Sequence, residues 1–143
     1  MITIHQGLDL VELSKFKEVL QRNSEFVHDI FTEQERAYCE SMKDPALHFA
    51  GRFAAKESYA KALGTGFSGT GIDHLFQEIE VTPSPSGKPE ISVRGWAAKM
   101  AKKRKIRQGS VSISHTAHYA VASVILVGET LERERVNDAV SAH

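Results

Sequence analysis

The clearest pattern of apolar and polar positions lies in residues 47–66, LHFAGRFAAKESYAKALGTG. The segment is rich in alanine and has neither a proline nor, before Thr65, a β-branched residue, which favours a helix. Gly64 and Gly66 follow, and glycine readily takes the left-handed conformation of a helix C-cap. Two stripes of residues recur at helical spacing. The first consists mainly of small and charged residues: Leu47, Ala50, Ala54, Glu57 and Lys61. The second contains the large apolar side chains: Phe49, Phe53, Ala60 and Leu63. We therefore predict a long central helix, buried on two sides and starting at Asp44-Pro45.

Shorter patterns around this segment predict an α+β fold. Strands are expected at 2–11, 77–82, 89–93, 110–116 and 119–127, the second and third forming a hairpin. The first strand alternates, with Ile2, Ile4, Leu8 and Leu10 on one side and His5, Gly7, Asp9 and Val11 on the other. Gly7 leaves room for a close neighbour beside Asp9. The glycine-rich stretch 64–73 is expected to be a loop.

Three shorter helices complete the predicted order. Ser14 is a candidate cap for the first, and Thr32 with Glu35 forms a capping box for the second, which runs to about Ser41. The third covers 95–105. The side chains expected to face inward from the first and third are Phe16, Val19, Leu20, Trp96, Met100, Ala97 and Ala101.

Composition indicates an ordinary globular protein. The chain has 143 residues, no net formal charge and one cysteine, Cys39, which excludes an internal disulfide or a multi-cysteine zinc site. We see no signal peptide and no apolar run of about 18 residues, so a cytoplasmic protein outside the membrane is expected. Seven Lys or Arg and no acid lie in residues 94–107. Nucleic-acid contact is one interpretation, but with Trp96 expected inside, a solvated basic face is favoured.

Charged residues of the central helix suggest phosphate chemistry. Glu57 and Lys61 at i,i+4 could simply form a surface ion pair worth about 0.2–0.5 kcal/mol. However, Arg52, Lys56 and Lys61 place three cations around one acid, which suits a phosphate.

Asp9 is a second candidate, because a carboxylate between Leu8 and Leu10 needs a cation, a metal or several donors if it is buried. It could instead cap the next helix. If it approaches Glu57, a divalent ion between the two would relieve their repulsion, and Mg²⁺ suits two carboxylates with water and phosphate. His115 could donate to a phosphate oxygen or be an ordinary strand histidine.

Four segments in order resemble the holo-[acyl-carrier-protein] synthase family, the short, single-module 4′-phosphopantetheinyl transferases. They are GLDLVEL, FAGRFAAKESYAKALGTGF, GKP and SISHTAHYAVASVIL. The resemblance implies the 4′-phosphopantetheinyl transferase fold over residues 1–128, with a small antiparallel sheet against a long central helix and shorter helices. Residues 129–143 would form a charged tail. It also implies transfer of the 4′-phosphopantetheine arm from coenzyme A to a serine of apo acyl carrier protein, releasing adenosine 3′,5′-bisphosphate, in fatty acid biosynthesis.

The resemblance also implies roles for particular residues. Asp9 and Glu57 match the magnesium carboxylates, and Lys61 matches the lysine that meets the pyrophosphate. The coenzyme A site would comprise Arg52, Lys61, Gly64, Thr65, Gly66, Gly87, Lys88, Pro89, His115 and Thr116. The cations matching the helix that docks the acidic carrier protein are Lys15, Lys17 and Arg22. A homotrimer with active sites between subunits is implied too.

Two other interpretations stay open from the residues alone. One is a non-catalytic module that binds acidic proteins or RNA through residues 94–107, and the other is a magnesium-dependent enzyme acting on a nucleotide diphosphate with a different acceptor. For the transferase, the proton of the carrier serine could pass to Glu57 or to a water made more acidic by the metal.

Overall fold

The structure is a computed structural model that describes residues 1–64 and 72–130, with side chains described at all of these except 72 and 73. In chain order the elements are β1 (Ile2–Glu12), α1 (Leu13–Arg22), α2 (Phe26–Ile30), α3 (Glu33–Glu40), α4 (Pro45–Leu63), α5 (Ile72–Glu78), β2 (Ile79–Pro83), β3 (Pro89–Val93), α6 (Gly95–Lys103), β4 (Ile106–His115) and β5 (Tyr119–Glu129). This mixture of helices and antiparallel strands confirms the α+β prediction.

The larger sheet has three antiparallel strands in the order β1-β5-β4, and β2 pairs with β3 in a separate hairpin. Asp9 and His115 therefore lie on outer strands, opposite Ala122 and Ala120 of the central strand. Helix α4 crosses one face of this sheet, and Ser58 donates a hydrogen bond of 3.0 Å to the Ala122 carbonyl. The sheet and α4 together form the frame on which the candidate residues are placed.

Gly7 permits the close contact between β1 and α4. A Cβ atom built on Gly7 would lie 1.8 Å from the backbone oxygen of Ser58, far inside van der Waals contact. No side chain fits there, so the helix axis can approach the strand closely only because position 7 is glycine. The prediction of a close neighbour at Gly7 is confirmed.

Helix α4 begins and ends as its sequence predicts. Pro45 occupies the first turn, and Gly64 ends the helix in the left-handed conformation with φ 76°. Each stripe has buried members, Ala50 and Ala54 in one and Phe49, Ala60 and Leu63 in the other, and the ring of Phe49 lies 4.8 Å from that of Phe31 in a tilted arrangement. Burial on two sides explains why the segment is apolar around most of its circumference.

Several local predictions are confirmed and others are wrong. The capping box of Thr32 and Glu35 is present, whereas the N-cap of α1 is Glu12, whose side chain accepts a hydrogen bond from Ser14. Helix α5 begins at Ile72, inside the stretch expected to be a loop, and residues 65–71 lie outside the described part.

Two side chains expected inside are exposed. Val19 is 40% exposed and Trp96 is 48% exposed, because α1 and α6 each bury a narrower stripe than their apolar residues suggest. In α6 the buried positions are Ala97 and Ala101. The exposed Trp96 therefore does not count against nucleic-acid contact at residues 94–107.

The outer face of the three-stranded sheet is apolar and uncovered in the single chain. Ile2, Ile4, Leu8 and Leu10 of β1 are each 60–70% exposed, and Tyr119 and Ile125 continue the same face on β5. The other side of β1, which carries Gly7 and Val11, packs on α4. Contiguous exposed apolar surface of this kind marks an interaction site. Among the helices of the described part, none is both long and apolar enough to cross a bilayer.

Candidate active site

Asp9 and Lys61 meet where α4 lies over β1. The ammonium of Lys61 is 2.9 Å from Asp9 Oδ1 and donates to the Leu8 carbonyl at 3.1 Å. Within the described part of the chain, the ion pair of Lys61 is formed with Asp9 and not with Glu57. The i,i+4 surface pair considered from the sequence is therefore absent there, and Lys61 joins helix to strand instead. Half of its side chain remains exposed, so an anionic ligand can reach it.

Glu57 lies beside the same aspartate. Burial raises the pKa of Glu57 to about 7, and a side-chain contact with Asp9 and the charge of Asp9 add to this, while Lys61 opposes it. Asp9 Oδ2 is buried and has no hydrogen-bond partner. Two converging carboxylates that repel each other, one with an orphaned oxygen, fit a divalent cation.

The donor set selects the kind of metal that would fit. In the ranges 1–64 and 72–130 there is no cluster of three or more His, Cys, Asp or Glu side chains suited to an ion. A structural zinc site would need such a set. A pair of carboxylates is what Mg²⁺ uses when waters and substrate phosphates fill its other positions.

A second group of candidate residues lies around Arg52. Its side chain is only 5% exposed, stacks 4.0 Å from the centre of the Tyr38 ring, and has a buried Nε without a partner. His48, one turn earlier on α4, has its pKa lowered first by burial and then by the charges of Arg52 and His115, against an opposing effect of Asp44. Arg52 and His115 both lie close enough to His48 to act on its pKa, so the fold brings them to the same neighbourhood.

Lys56 does not belong with the other two cations. It is fully buried on another side of α4, where its ammonium lies 2.6 Å from Glu35 and donates to the carbonyls of Phe76 and Ile79. The predicted three-cation arrangement around one acid is wrong, because a fully enclosed ammonium cannot reach a ligand. Glu35, read from the sequence only as a helix cap, is its partner.

The remaining predicted coenzyme A residues are dispersed. Gly64 is the C-cap of α4, and Thr65 and Gly66 lie outside the described residues. Gly87 turns the β2–β3 hairpin with φ 89°, and Lys88 and Pro89 line a cavity of about 470 Å³ between that hairpin and β4. Thr116 follows His115, and its hydroxyl accepts from the amides of His118 and Tyr119.

The predicted carrier-docking cations all face solvent. Lys15, Lys17 and Arg22 are exposed on α1, and Lys15 is 3.5 Å from Glu12. Lys17 borders a groove between the start of α1 and the β4–β5 turn, which also includes His118. His118 is exposed, as predicted.

Two residues near Arg52 were not predicted from the sequence. Tyr38 supplies the ring on which Arg52 stacks, and His48 contacts that ring edge-on at 6.0 Å between centroids. The sequence could have indicated His48, because it lies four positions before Arg52 and therefore on the same face of the helix. No sequence pattern could have indicated Tyr38, since it lies on a different helix, α3.

An α+β frame that carries an acidic pair, an adjacent lysine and a buried arginine is an arrangement that fits a phosphate-bearing ligand and a divalent metal. Residues 6–124 match the 4′-phosphopantetheinyl transferase superfamily, and the chain belongs to this family.

Relatives with a stated activity or a solved structure are similar to this chain over most of its length. A holo-[acyl-carrier-protein] synthase of Caldanaerobacter subterraneus subsp. tengcongensis is 40% identical over 87% of this chain and 95% of its own length. A solved ACPS–CoA complex of Chronobacterium ammoniagenes is 30% identical, with a TM-score of 0.78, over 90% of this chain and 99% of that one. A holo-(acyl-carrier-protein) synthase of Bacillus anthracis, solved in complex with CoA (3′,5′-ADP), is 33% identical with a TM-score of 0.72. The match covers 90% of this chain and 100% of that one. The expected family and fold class are confirmed.

Proposed function

We propose that this protein transfers the 4′-phosphopantetheine group of coenzyme A to a serine of apo acyl carrier protein, releasing adenosine 3′,5′-bisphosphate, in the cytoplasm and for fatty acid biosynthesis. Family membership and 40% identity to a holo-[acyl-carrier-protein] synthase support the reaction. The observation that carries the site is the convergence of Asp9, Glu57 and Lys61 at the crossing of β1 and α4.

Asp9 and Glu57 are the residues that would hold Mg²⁺. When bound, the ion would supply positive charge to the pyrophosphate of coenzyme A. The chain's own contribution is mainly electrostatic: Lys61, fixed by Asp9 and the Leu8 carbonyl, presents its ammonium where charge grows on the leaving bisphosphate. The serine proton would pass either to Glu57 or to a water that the metal makes more acidic, and the water is favoured because a carboxylate that holds the metal is a poorer base.

Arg52 and His115 are proposed to bind a second phosphate of coenzyme A. Glu57 lies five positions after Arg52, which corresponds to about 140° around a helix and about 7.5 Å along it. His115 and Asp9 are likewise two strands apart in the sheet. The body of α4 thus separates this group from the acidic pair of the same chain, which favours a coenzyme A site shared between neighbouring subunits.

We propose a homotrimer for the same reason. The apolar outer face of β1, with Ile4, Leu8 and Leu10 exposed, provides the contact surface. Subunits packed through this face would bring the acidic pair of one chain near the hairpin, His115 and Thr116 of another. Gly64, Thr65, Gly66 and the turn of Gly87, Lys88 and Pro89 would then border the ligand. The basic side chains Lys15, Lys17 and Arg22 would attract the acidic carrier.

The test is transfer of the arm in a defined mixture. The protein, coenzyme A, Mg²⁺ and apo acyl carrier protein are incubated, and the mass of the carrier is followed. The parent should add one pantetheine arm, whereas Asp9→Asn and Glu57→Gln should be slower by at least about 100-fold because charge stabilisation is lost. Glu33→Gln, exposed at the start of α3 and away from the proposed site and docking helix, is the matched control.

Two results would contradict the proposal. A folded parent protein that leaves the carrier mass unchanged would refute the reaction. Transfer by Glu57→Gln at the parent rate in saturating Mg²⁺ would show that the assignment of the metal carboxylates is wrong.

A further inference from the structure

The cavity of about 470 Å³ between the β2–β3 hairpin and β4 lies apart from the candidate active site. Neither the acidic pair nor Lys61, Arg52 or His115 lines it. The residue of α4 that does line it is Tyr59, two positions after Glu57, which corresponds to about 200° around the helix. The cavity therefore lies on another side of α4.

The cavity exists because two strand edges face each other without pairing. Among the described strands, β3 pairs only with β2 and β4 pairs only with β5. Pro89 at the start of β3 has no amide proton to donate, and the pairing register of β4 with β5 shifts around Arg107, between Ile106 and Gln108.

The distance between these two strands limits what can occupy the space. Cα atoms of β3 and β4 come within 8 Å of each other. A peptide strand inserted between them would need two strand spacings, or about 9.6 Å. The cavity therefore suits a small molecule and not an added strand.

The floor of the cavity is apolar and its rim is charged. The floor residues are all buried: Tyr59, Ala101, Val111, Val124 and Leu126. The rim includes three exposed charged residues: Lys88, Glu90 and Arg107. Within residues 1–64 and 72–130, none of the three forms an ion pair. The rim thus has more positive than negative charge and attracts an anion.

We propose that this cavity binds a free fatty acid, with the alkyl chain on the apolar floor and the carboxylate at Arg107 and Lys88. The volume lies within the range of about 300–1,000 Å³ for small-molecule pockets, which are likewise mostly apolar with a few polar groups. Removal of the chain from water supplies the affinity, and the two cations select an anionic head group. Of the described residues predicted to bind coenzyme A, only Lys88 and Pro89 line the cavity. Binding is measured without either substrate, so the inference does not depend on the transfer reaction.

Calorimetric titration of the full-length protein with dodecanoate and with dodecyltrimethylammonium tests this. The two probes share an alkyl chain of the same length and carry opposite charges, and both are used below the concentrations at which they form micelles. Arg107→Gln removes a rim cation, and Lys103→Gln, exposed on α6 outside the cavity, is its control. Ala101→Leu fills part of the floor, and Ala98→Leu, on the same helix outside the cavity, is its control. Circular dichroism and thermal unfolding confirm that each variant is folded.

The parent should bind dodecanoate more tightly than the cationic probe. Arg107→Gln should weaken dodecanoate binding about fivefold, the upper end for one exposed ion pair. Ala101→Leu should weaken it at least about tenfold, because the new side chain takes the space of about three methylene groups of the ligand. Glu90→Gln should tighten it about twofold, since a like charge is removed from the rim. Both control variants should match the parent.

Three outcomes would overturn the inference: equal binding of the two probes, unchanged dodecanoate affinity in folded Arg107→Gln or Ala101→Leu, or the same loss in the control variants. Arg107→Gln and Glu90→Gln, both at exposed positions, decide the question if Ala101→Leu does not fold.

Titration of the same variants with coenzyme A separates the two ligands. A loss of coenzyme A affinity in Arg107→Gln as large as the loss for dodecanoate would assign the cavity to coenzyme A and overturn the inference. A parent protein that binds dodecanoate as expected but never modifies the carrier would refute the transfer reaction and support the fatty-acid site.

Discussion

Removal of the Lys56 ammonium should destabilise the fold more than any surface change. Lys56 and Glu35 are both fully buried, their charged atoms lie 2.6 Å apart, and the ammonium also donates to the carbonyls of Phe76 and Ile79 at 2.6 Å. Glu35 accepts in addition from the amides of Thr32 and Val81 at 2.9 and 2.8 Å. This network connects α3, α4 and the start of β2.

In Lys56→Met the carboxylate of Glu35 stays buried with only two amide donors. Breaking a buried pair in this way typically costs about 3–5 kcal/mol, a large share of the roughly 5–15 kcal/mol that stabilises a domain. At about 2–4 °C per kcal/mol for a chain of this size, Tm should fall by roughly 6–20 °C. Urea unfolding followed by circular dichroism measures the free energy directly.

The double variant Lys56→Met, Glu35→Met separates the buried charge from simple packing. With both charges removed, most of the loss should be recovered, because apolar replacement of a buried pair is often close to neutral. Lys43→Met on the surface is the control and should change stability by less than about 0.5 kcal/mol. A double variant as unstable as the single one would show that an uncompensated carboxylate is not the cause.

Three further predictions concern the site, the helix–strand crossing and the outer sheet face. The pKa of Glu57 is raised from 4.5 to about 7 in the folded protein. Between these pH values the folded state binds more protons than the unfolded state does. The free energy of unfolding of the metal-free protein should therefore fall as pH rises from about 4.5 to 7. The fall should be about 1 kcal/mol after screening of this partly exposed group, and a Glu57→Gln variant whose thermal scans keep the same slope would contradict the assignment. Gly7→Ala should lower Tm sharply or prevent folding, since its Cβ meets the Ser58 carbonyl at 1.8 Å, and a parent-like Tm would contradict the close contact. Leu10→Lys should dissociate the proposed trimer in sedimentation experiments while Lys43→Met does not, and an unchanged sedimentation coefficient would count against that interface.

The sequence determined the elements whose signals are local. Proline at the start and glycine at the end bounded α4, and the capping box of Thr32 and Glu35 bounded α3, because caps act within a few residues. Alternation located all five strands, and four ordered motifs indicated the family that the comparisons confirm.

Only the tertiary structure decided which charges meet. The spacing of Lys61 favoured Glu57 as its partner, but the crossing at Gly7 brings it to Asp9, 52 positions away. Lys56 resembled a ligand-binding cation in the sequence and is instead buried against Glu35 from a different helix. Likewise the leucines of β1 face outward, while Asp9 lies on the side covered by α4. Periodicity specifies that a strand has two faces, but the packing of distant elements selects the covered face and therefore the charges that become partners.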